Sequence, residues 1–372
     1  MHKKLWFWIG VVLLVGVFAI VLPCFVRGGE MPSATISGYK VLAPIRHGNL
    51  TIFPVIAATS HDTQQFLTLD EGLRSGEVIV TESGNAQPLI RPRRQHSGPI
   101  MDGHSNGGAQ VNQLVLINNS QRPLILLAGE IVTGGKQDRV IGKDRIVPAE
   151  SDPIDLGVFC VEPGRWTGPT STFGRTVGGP LMAQPAVRSK AMVDKDQTKV
   201  WAQVRSSQEA VAAELPPPVA AAVAGTSSYA DVMQNQEVKQ KVDAVAGPIE
   251  HDYQSLIRQL RDRKAVGVVV AVNGEVIWAD IFASSDLLEK YWPKLVRSYA
   301  AEAVSSRFRN HEADEKTAQQ FLEDSGGRHE VAEIEPGLYR HTEVTGEGFK
   351  AFELTSLLPK TGFDLHVAKM AE

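Results

Sequence analysis

Residues Pro123 to Arg139 read Pro-Leu-Ile-Leu-Leu-Ala-Gly-Glu-Ile-Val-Thr-Gly-Gly-Lys-Gln-Asp-Arg. An apolar run that stops at a Gly-Gly pair and continues as Lys-Gln-Asp-Arg leaves a narrow choice. Val-, Ile- and Leu-rich runs bounded by Gly and Pro form buried strands. Charged and amide groups at the end of such a strand must be paired, solvated or put to use. Val158 to Trp166, Val-Phe-Cys-Val-Glu-Pro-Gly-Arg-Trp, has the same character.

Gly134-Gly135 fits a two-residue hairpin turn, where the central residues need positive φ and glycine supplies it without steric cost. Pairing about that turn sets Thr133 opposite Lys136, Val132 opposite Gln137, Ile131 opposite Asp138 and Glu130 opposite Arg139. Side chains alternate along a strand, so Glu130, Gln137 and Arg139 share one face and Asp138 points to the other. The same alternation groups Val158, Cys160 and Glu162. Glu162 beside Cys160 raises the thiol pKa, which argues against a thiolate. Cys24 and Cys160 are the only cysteines and Cys24 lies in the apolar N-terminal segment, so no intrachain disulfide staples the large domain.

With 372 residues the chain holds one large domain or two smaller ones. Its 43% apolar and 22% charged content is that of a globular protein, and a net charge of −4 exerts no pull towards nucleic acid. Strands are expected at Leu50–Ala58, Glu77–Glu82 and Gln113–Asn118, with a capped helix over Thr68–Gly76. Helical patterns cover Asp196–Glu214, Tyr229–Val245 and Pro248–Arg263, with Ser227 or Ser228 as a cap and Leu215–Gly225 as a connector. Asn273-Gly274 between two apolar runs is a strong hairpin signal over Ala265–Phe282. A helix follows over Ser285–Arg307, with Leu287, Leu288, Tyr291, Trp292, Leu295, Val296 and Tyr299 at core spacing and Pro293 as a kink. Lys316–Ser325 is a short helix; Glu343–Glu353 and Gly362–Val367 are closing strands. The fold class is α+β: a β-rich N-terminal half with hairpins, a helical middle, and a C-terminal hairpin, helix and strands.

Leu5 to Val26 spans 22 residues without a charge. As a helix it would be about 33 Å long, the thickness of a bilayer core. Trp6 and Trp8 suit the interface, and Lys3 and Lys4 precede the segment. This predicts a cytoplasmic tip (1–4), one transmembrane signal anchor (5–26) embedded in the lipid bilayer, a linker (27–38), and a single domain (39–369) outside the cytoplasm. Arg27, Lys40 and Arg46 on the far side oppose that orientation, and a cleaved signal peptide is the alternative.

Arg91, Arg93 and Arg94 form a basic cluster that reads as a solvated loop or an anion contact. His96 and His104 match no metal spacing, so no resident metal or cofactor is expected. Asn49-Leu50-Thr51 and Asn118-Asn119-Ser120 match the glycosylation sequon. Gly-Gly-Lys-Gln lacks the spacing and the Ser/Thr of a P-loop, and no nucleophile elbow, metalloprotease helix or dinucleotide fingerprint is present.

Three motifs, Leu126 to Glu130, Gly134 to Arg139 and Cys160 to Trp166, together resemble the ADP-ribosylglycohydrolase-and-rhodanese-phosphatase-associated protein domain family. Gly267–Phe282 and the helix carrying Tyr291-Trp292 and Ser298-Tyr299 resemble its C-terminal half. Pro163 departs from the polar residue usual there, and the N-terminal segment is an addition to the usual soluble form. The resemblance implies an association with enzymes of ADP-ribose metabolism, not a mechanism. Two readings follow. In the first, the domain takes an anionic, nucleotide-derived or sugar-phosphate ligand for hydrolysis or group transfer. Lys136, Arg139 and Arg165 hold its oxygens, and Gly134 and Gly135 add a backbone nest. Glu130 is the acid/base and Gln137 a positioning amide, with Asp138, Cys160, Glu162 and Trp166 around them. In the second, these residues form a structural network in a tethered interaction domain.

Overall fold

The computed structural model describes residues 38–83, 113–164, 172–174, 179–260, 264–309 and 311–372. Leu5–Val26, Arg91, Arg93, Arg94, His96, His104, Arg165 and Trp166 lie outside these residues. Among the described residues no helix is long and apolar enough to cross a membrane.

The Asn-Gly hairpin is the centre of a nine-stranded antiparallel sheet. In order across the sheet run Tyr39–Val41, Leu50–Ala57, Ala265–Val272, Glu275–Phe282, Asp364–Ala371, Phe349–Ser356, Tyr339–Gly346 and Arg328–Glu335, with Ile45–His47 paired to Leu50–Ala57. Asn273 (φ 54°) and Gly274 (φ 81°) take the left-handed pair that a tight hairpin turn requires. Ala265–Val272 is buried along its whole length because both faces are covered. Val268, Val270 and Val272 pack with the long helix Ser285–Ser305, and Val266, Val269 and Ala271 with the short helix Glu315–Glu323. That double cover explains an unbroken Val-rich run where a half-exposed strand would alternate. The long helix buries all seven residues of its expected stripe, at about 1.5–3 kcal/mol each.

The β-rich first half forms a seven-stranded sheet: Thr172–Gly174, Val78–Glu82, Gln113–Asn118, Ile154–Cys160, Arg139–Ile141, Glu130–Gly134 and Leu181–Met182. A small sheet of Arg145–Val147, Leu124–Leu126 and Leu67–Thr68 lies beside it, its last pair parallel. Thr68 caps the helix Leu69–Ser75 through a capping box with Glu71, and Gly76 closes it at φ 74°. Asn118 is fully buried and donates its amide to the Arg122 and Pro148 carbonyls, so its sequon is architectural.

The helical middle departs from expectation in two places. Leu215–Gly225 is not a plain connector, because Pro217–Gly225 is a helix whose prolines sit in the first turn, where no N–H is needed. Pro248 does not start a helix; one helix runs from Gln236 to Gln259 through it, after a short helix Tyr229–Gln234 capped by Ser228. Val238, Val242, Ala246, Ile249 and Tyr253 bury one face on both sides of Pro248, and that burial outweighs the lost hydrogen bond. Nor is Glu343–Glu353 one strand: Glu347-Gly348 turns Tyr339–Gly346 back into Phe349–Ser356.

Candidate functional site

The hairpin carrying the polar motif forms with a different register. Val132 pairs with Arg139 and Ile131 with Val140, two residues removed from a Gly134-Gly135 two-residue turn. The turn is longer because Gly134 stays in the strand, pairing with Phe173, and residues 135–138 make the loop. Gly135 (φ 53°) lies so close to the Phe173 ring that a β-carbon would come within 2.3 Å of it. Gly135 thus serves a close approach as well as a left-handed position in the loop.

This register separates Glu130 from the loop residues, against the expectation that they share one face. Glu130 is not beside Arg139. Its Oε2 accepts from the Leu127 N–H at 2.7 Å and its Oε1 meets the Lys294 ammonium at 2.5 Å. Lys294, on the long helix, also pairs with Asp70 and lies 4.5 Å from the Tyr291 ring. Burial raises the Glu130 pKa, partly countered by Lys294.

The remaining described motif residues do converge. Arg139 and Cys160 are partners across adjacent strands. The two strand ends are then tied reciprocally. Gln137 Nε2 donates to the Glu162 carbonyl (3.0 Å), the Asp138 N–H to Glu162 Oε2 (3.0 Å), and the Val161 N–H to the Asp138 carbonyl (3.1 Å). The Asp138 carboxylate accepts from the Gly134 N–H (3.1 Å) and from Ser228 Oγ (3.1 Å). Glu82, which the sequence reading did not single out, accepts the Lys136 N–H at 2.8 Å. The expected backbone nest therefore exists but is filled by the protein's own carboxylates. Cys160 is fully buried and accepts from the Glu162 N–H; burial pushes its thiol pKa up, as expected of an inert cysteine.

Arg139 stands at the centre of this cluster and is fully buried. Its Nη1 donates to the Gln137 and Asp138 carbonyls at 2.7 and 3.4 Å. Its Nε and Nη2 have no acceptor among the described residues, nor has Gln137 Oε1 or Glu82 Oε2 a donor. Burial lowers the Arg139 pKa, opposed by Cys160, Glu82, Asp138 and Glu162. The arrangement leaves a guanidinium edge, one carboxylate oxygen and one amide oxygen unmatched within a single buried cluster.

A second polar cluster was not anticipated. Arg188 donates to both Asp280 oxygens, at 2.8 and 3.0 Å, and through Nε to the Ala128 carbonyl at 3.2 Å. His366 bridges Asp144 (2.5 Å) and Asp280 (3.0 Å), Tyr299 bonds Asp280, and Asp144 accepts from the Ala128 N–H. Burial alone would lower the His366 pKa, but the flanking carboxylates outweigh it and raise it to about 9. Arg188 and His366 balance Asp280 and Asp144, so the network is neutral as well as complete. The Leu126–Glu130 motif serves this network: a β-carbon on Gly129 (φ 96°) would come within 2.5 Å of the Arg188 side chain. The available signal was an Asp inside the apolar run Ile277 to Phe282.

These features define a single class of molecule: an α+β domain with a nine-stranded sheet, a paired charge network in its interior and a cluster of unmatched buried polar atoms at two strand ends. The chain belongs to the ARG and Rhodanese-Phosphatase-superfamily-associated Protein domain family, whose model matches residues 38–368. This is the family that the Gly134–Arg139 and Cys160–Trp166 motifs indicated. No curated protein and no solved structure matches the chain.

Proposed function

We propose that the Arg139 cluster binds an anionic small molecule that also carries hydroxyls, of the nucleotide or sugar-phosphate class. One observation carries this reading: a fully buried guanidinium with Nε and Nη2 unmatched. A planar edge of that kind fits a phosphate or carboxylate bidentately. Glu82 Oε2 and Gln137 Oε1 would accept from sugar hydroxyls, which an inorganic anion lacks. The family's association with ADP-ribosylglycohydrolase favours an ADP-ribose-derived ligand. Lys136, Arg165 and Trp166 are further contacts in this reading, and Glu82 takes the carboxylate position first given to Glu130. The domain is held at a membrane by Leu5–Val26, with its bulk outside the cytoplasm.

Titration calorimetry of the full-length protein with ADP-ribose and ribose 5-phosphate tests the ligand. Arg139→Met should weaken binding by about 10–100-fold, the equivalent of a charge-assisted hydrogen-bond pair, without loss of fold. Unchanged affinity in Arg139→Met, or no binding of either compound, overturns the reading. A purely structural role is favoured by the filling of the nest by Glu82 and Asp138, and it predicts the second of these outcomes. Carbonate-resistant membrane sedimentation that persists after Leu5–Val26 is deleted would remove the anchor from the proposal.

A further inference from the structure

A hollow at the opposite end of the strand Arg139–Ile141 has no part in the proposal above. Its floor is one face of the C-terminal hairpins. Glu333 is the strand partner of His341, and Phe352 of Glu343, so these four side chains share a face. The turn Gly142–Lys143, Met192 of the π turn Lys190–Asp194, and Lys195 line the rest. The volume of this partly open hollow is about 220 Å³.

Two irregularities shape it. A β-bulge places Ala332 as an extra residue between Val331 and Glu333, which re-aims Glu333. The π turn ends with Lys195 at φ 52°, a conformation that a non-glycine residue seldom adopts.

His341 is 2% exposed, and neither ring nitrogen has a hydrogen-bond partner among the described residues. Groups buried in this way forgo the hydrogen bonds that water would give them, which is unfavourable until a partner arrives. Burial lowers the His341 pKa; Lys143 and Lys195 act in the same direction, Asp144 and Glu343 against it. The ring is therefore neutral at pH 7 and offers one donor and one acceptor. Its neighbours Lys143 and Lys195 are already matched, to Glu333 and Glu343. An incoming anion would have to strip both lysines from their carboxylates and then sit beside those carboxylates. An apolar ligand would leave the imidazole unmatched. Phe352, Met192 and Ala332 supply apolar walls, and the Phe352 ring centroid lies 6.0 Å from that of His341. The volume falls below the roughly 300–1,000 Å³ of drug-sized sites, which limits the occupant to one or two rings.

We propose that this hollow binds a small neutral nitrogen heterocycle of the nucleobase type, one N–H or ring nitrogen of which pairs with an imidazole nitrogen of His341. The test is calorimetric and saturation-transfer NMR titration of the full-length protein with adenine, uracil and nicotinamide, with inorganic phosphate as competitor. At least one heterocycle should bind, and phosphate should not displace it. His341→Phe should weaken binding about tenfold or more, whereas His341→Gln, whose amide keeps a donor and an acceptor, should retain it. The His341 ring nitrogens should shift on addition of the heterocycle, a readout that stands if His341→Phe fails to fold. Arg139→Met should leave this binding unchanged, which separates its failure from that of the other site. Binding of none of the three compounds, equal binding by His341→Phe, or displacement by phosphate overturns the proposal.

Discussion

Arg139 and Arg188 are both fully buried, yet they solve the burial of a guanidinium in opposite ways. Arg188 uses Nε, Nη1 and Nη2, and its carboxylate partner is itself held by His366 and Tyr299. Arg139 uses only Nη1, and only on backbone carbonyls. The acids that surround it have carboxyl oxygens committed elsewhere: Glu82 to the Lys136 N–H, Asp138 to Gly134 and Ser228, Glu162 to the Asp138 N–H. Proximity of opposite charge is therefore not pairing. What distinguishes architecture from a candidate site is whether the donors and acceptors close among themselves.

The comparison breaks most readily at Arg188. Arg188→Met leaves Asp280 buried with one cation fewer, and breaking a buried pair costs about 3–5 kcal/mol. Urea denaturation should show that loss; a change under about 1 kcal/mol would mean the network is not a unit, since isolated surface pairs are worth no more. The pH dependence is the next largest effect. The folded-state pKa of His366, about 9, lies above the roughly 6.5 of an unfolded histidine. The stability it contributes is thus full below about pH 6.5 and is lost as pH rises through 9, up to about 3 kcal/mol at 1.36 kcal/mol per unit. His366→Gln should flatten the difference between those pH values. Wild-type and variant stability curves that stay parallel from pH 6.5 to 9 would show that His366 is not the titrating group.

Elements were legible where local chemistry and tertiary burial agree. The Asn273-Gly274 hairpin, the capped helix after Thr68 and the apolar stripe of Ser285–Ser305 each carry that agreement in consecutive residues. Gln236–Gln259 was obscured because Pro248 is a local stop that only the buried face from Val238 to Tyr253 overrides. The candidate site was half legible. Motif spacing brought Gln137, Asp138, Arg139, Cys160 and Glu162 together, because they sit at the ends of paired strands. Glu130 was misassigned with them because Phe173, distant in sequence, holds Gly134 in the strand and lengthens the turn. Glu82 and Ser228 reach the same cluster from other elements, as do Asp280, His366 and Arg188 the network. Only the buried charge in Ile277 to Phe282 hinted at any of them.

The smallest expected effect tests the comparison most sharply. Arg139→Met removes a guanidinium whose effective burial penalty is several kcal/mol and whose compensation is two carbonyl contacts, each worth at most about 1.5–3 kcal/mol. The Asp138 carbonyl keeps the Val161 N–H, so only the Gln137 carbonyl loses a partner. These opposing terms nearly cancel. The variant should unfold within about 1 kcal/mol of the wild type, or be slightly more stable, as when buried ions give way to apolar side chains of similar volume. The same substitution at Arg188 should be severalfold more damaging, although the two residues are equally buried. A destabilisation by Arg139→Met as large as that by Arg188→Met would show that the Arg139 edge is satisfied in the free protein, through water or through the acids around it. The Arg139 cluster would then be architecture of the same kind as the network.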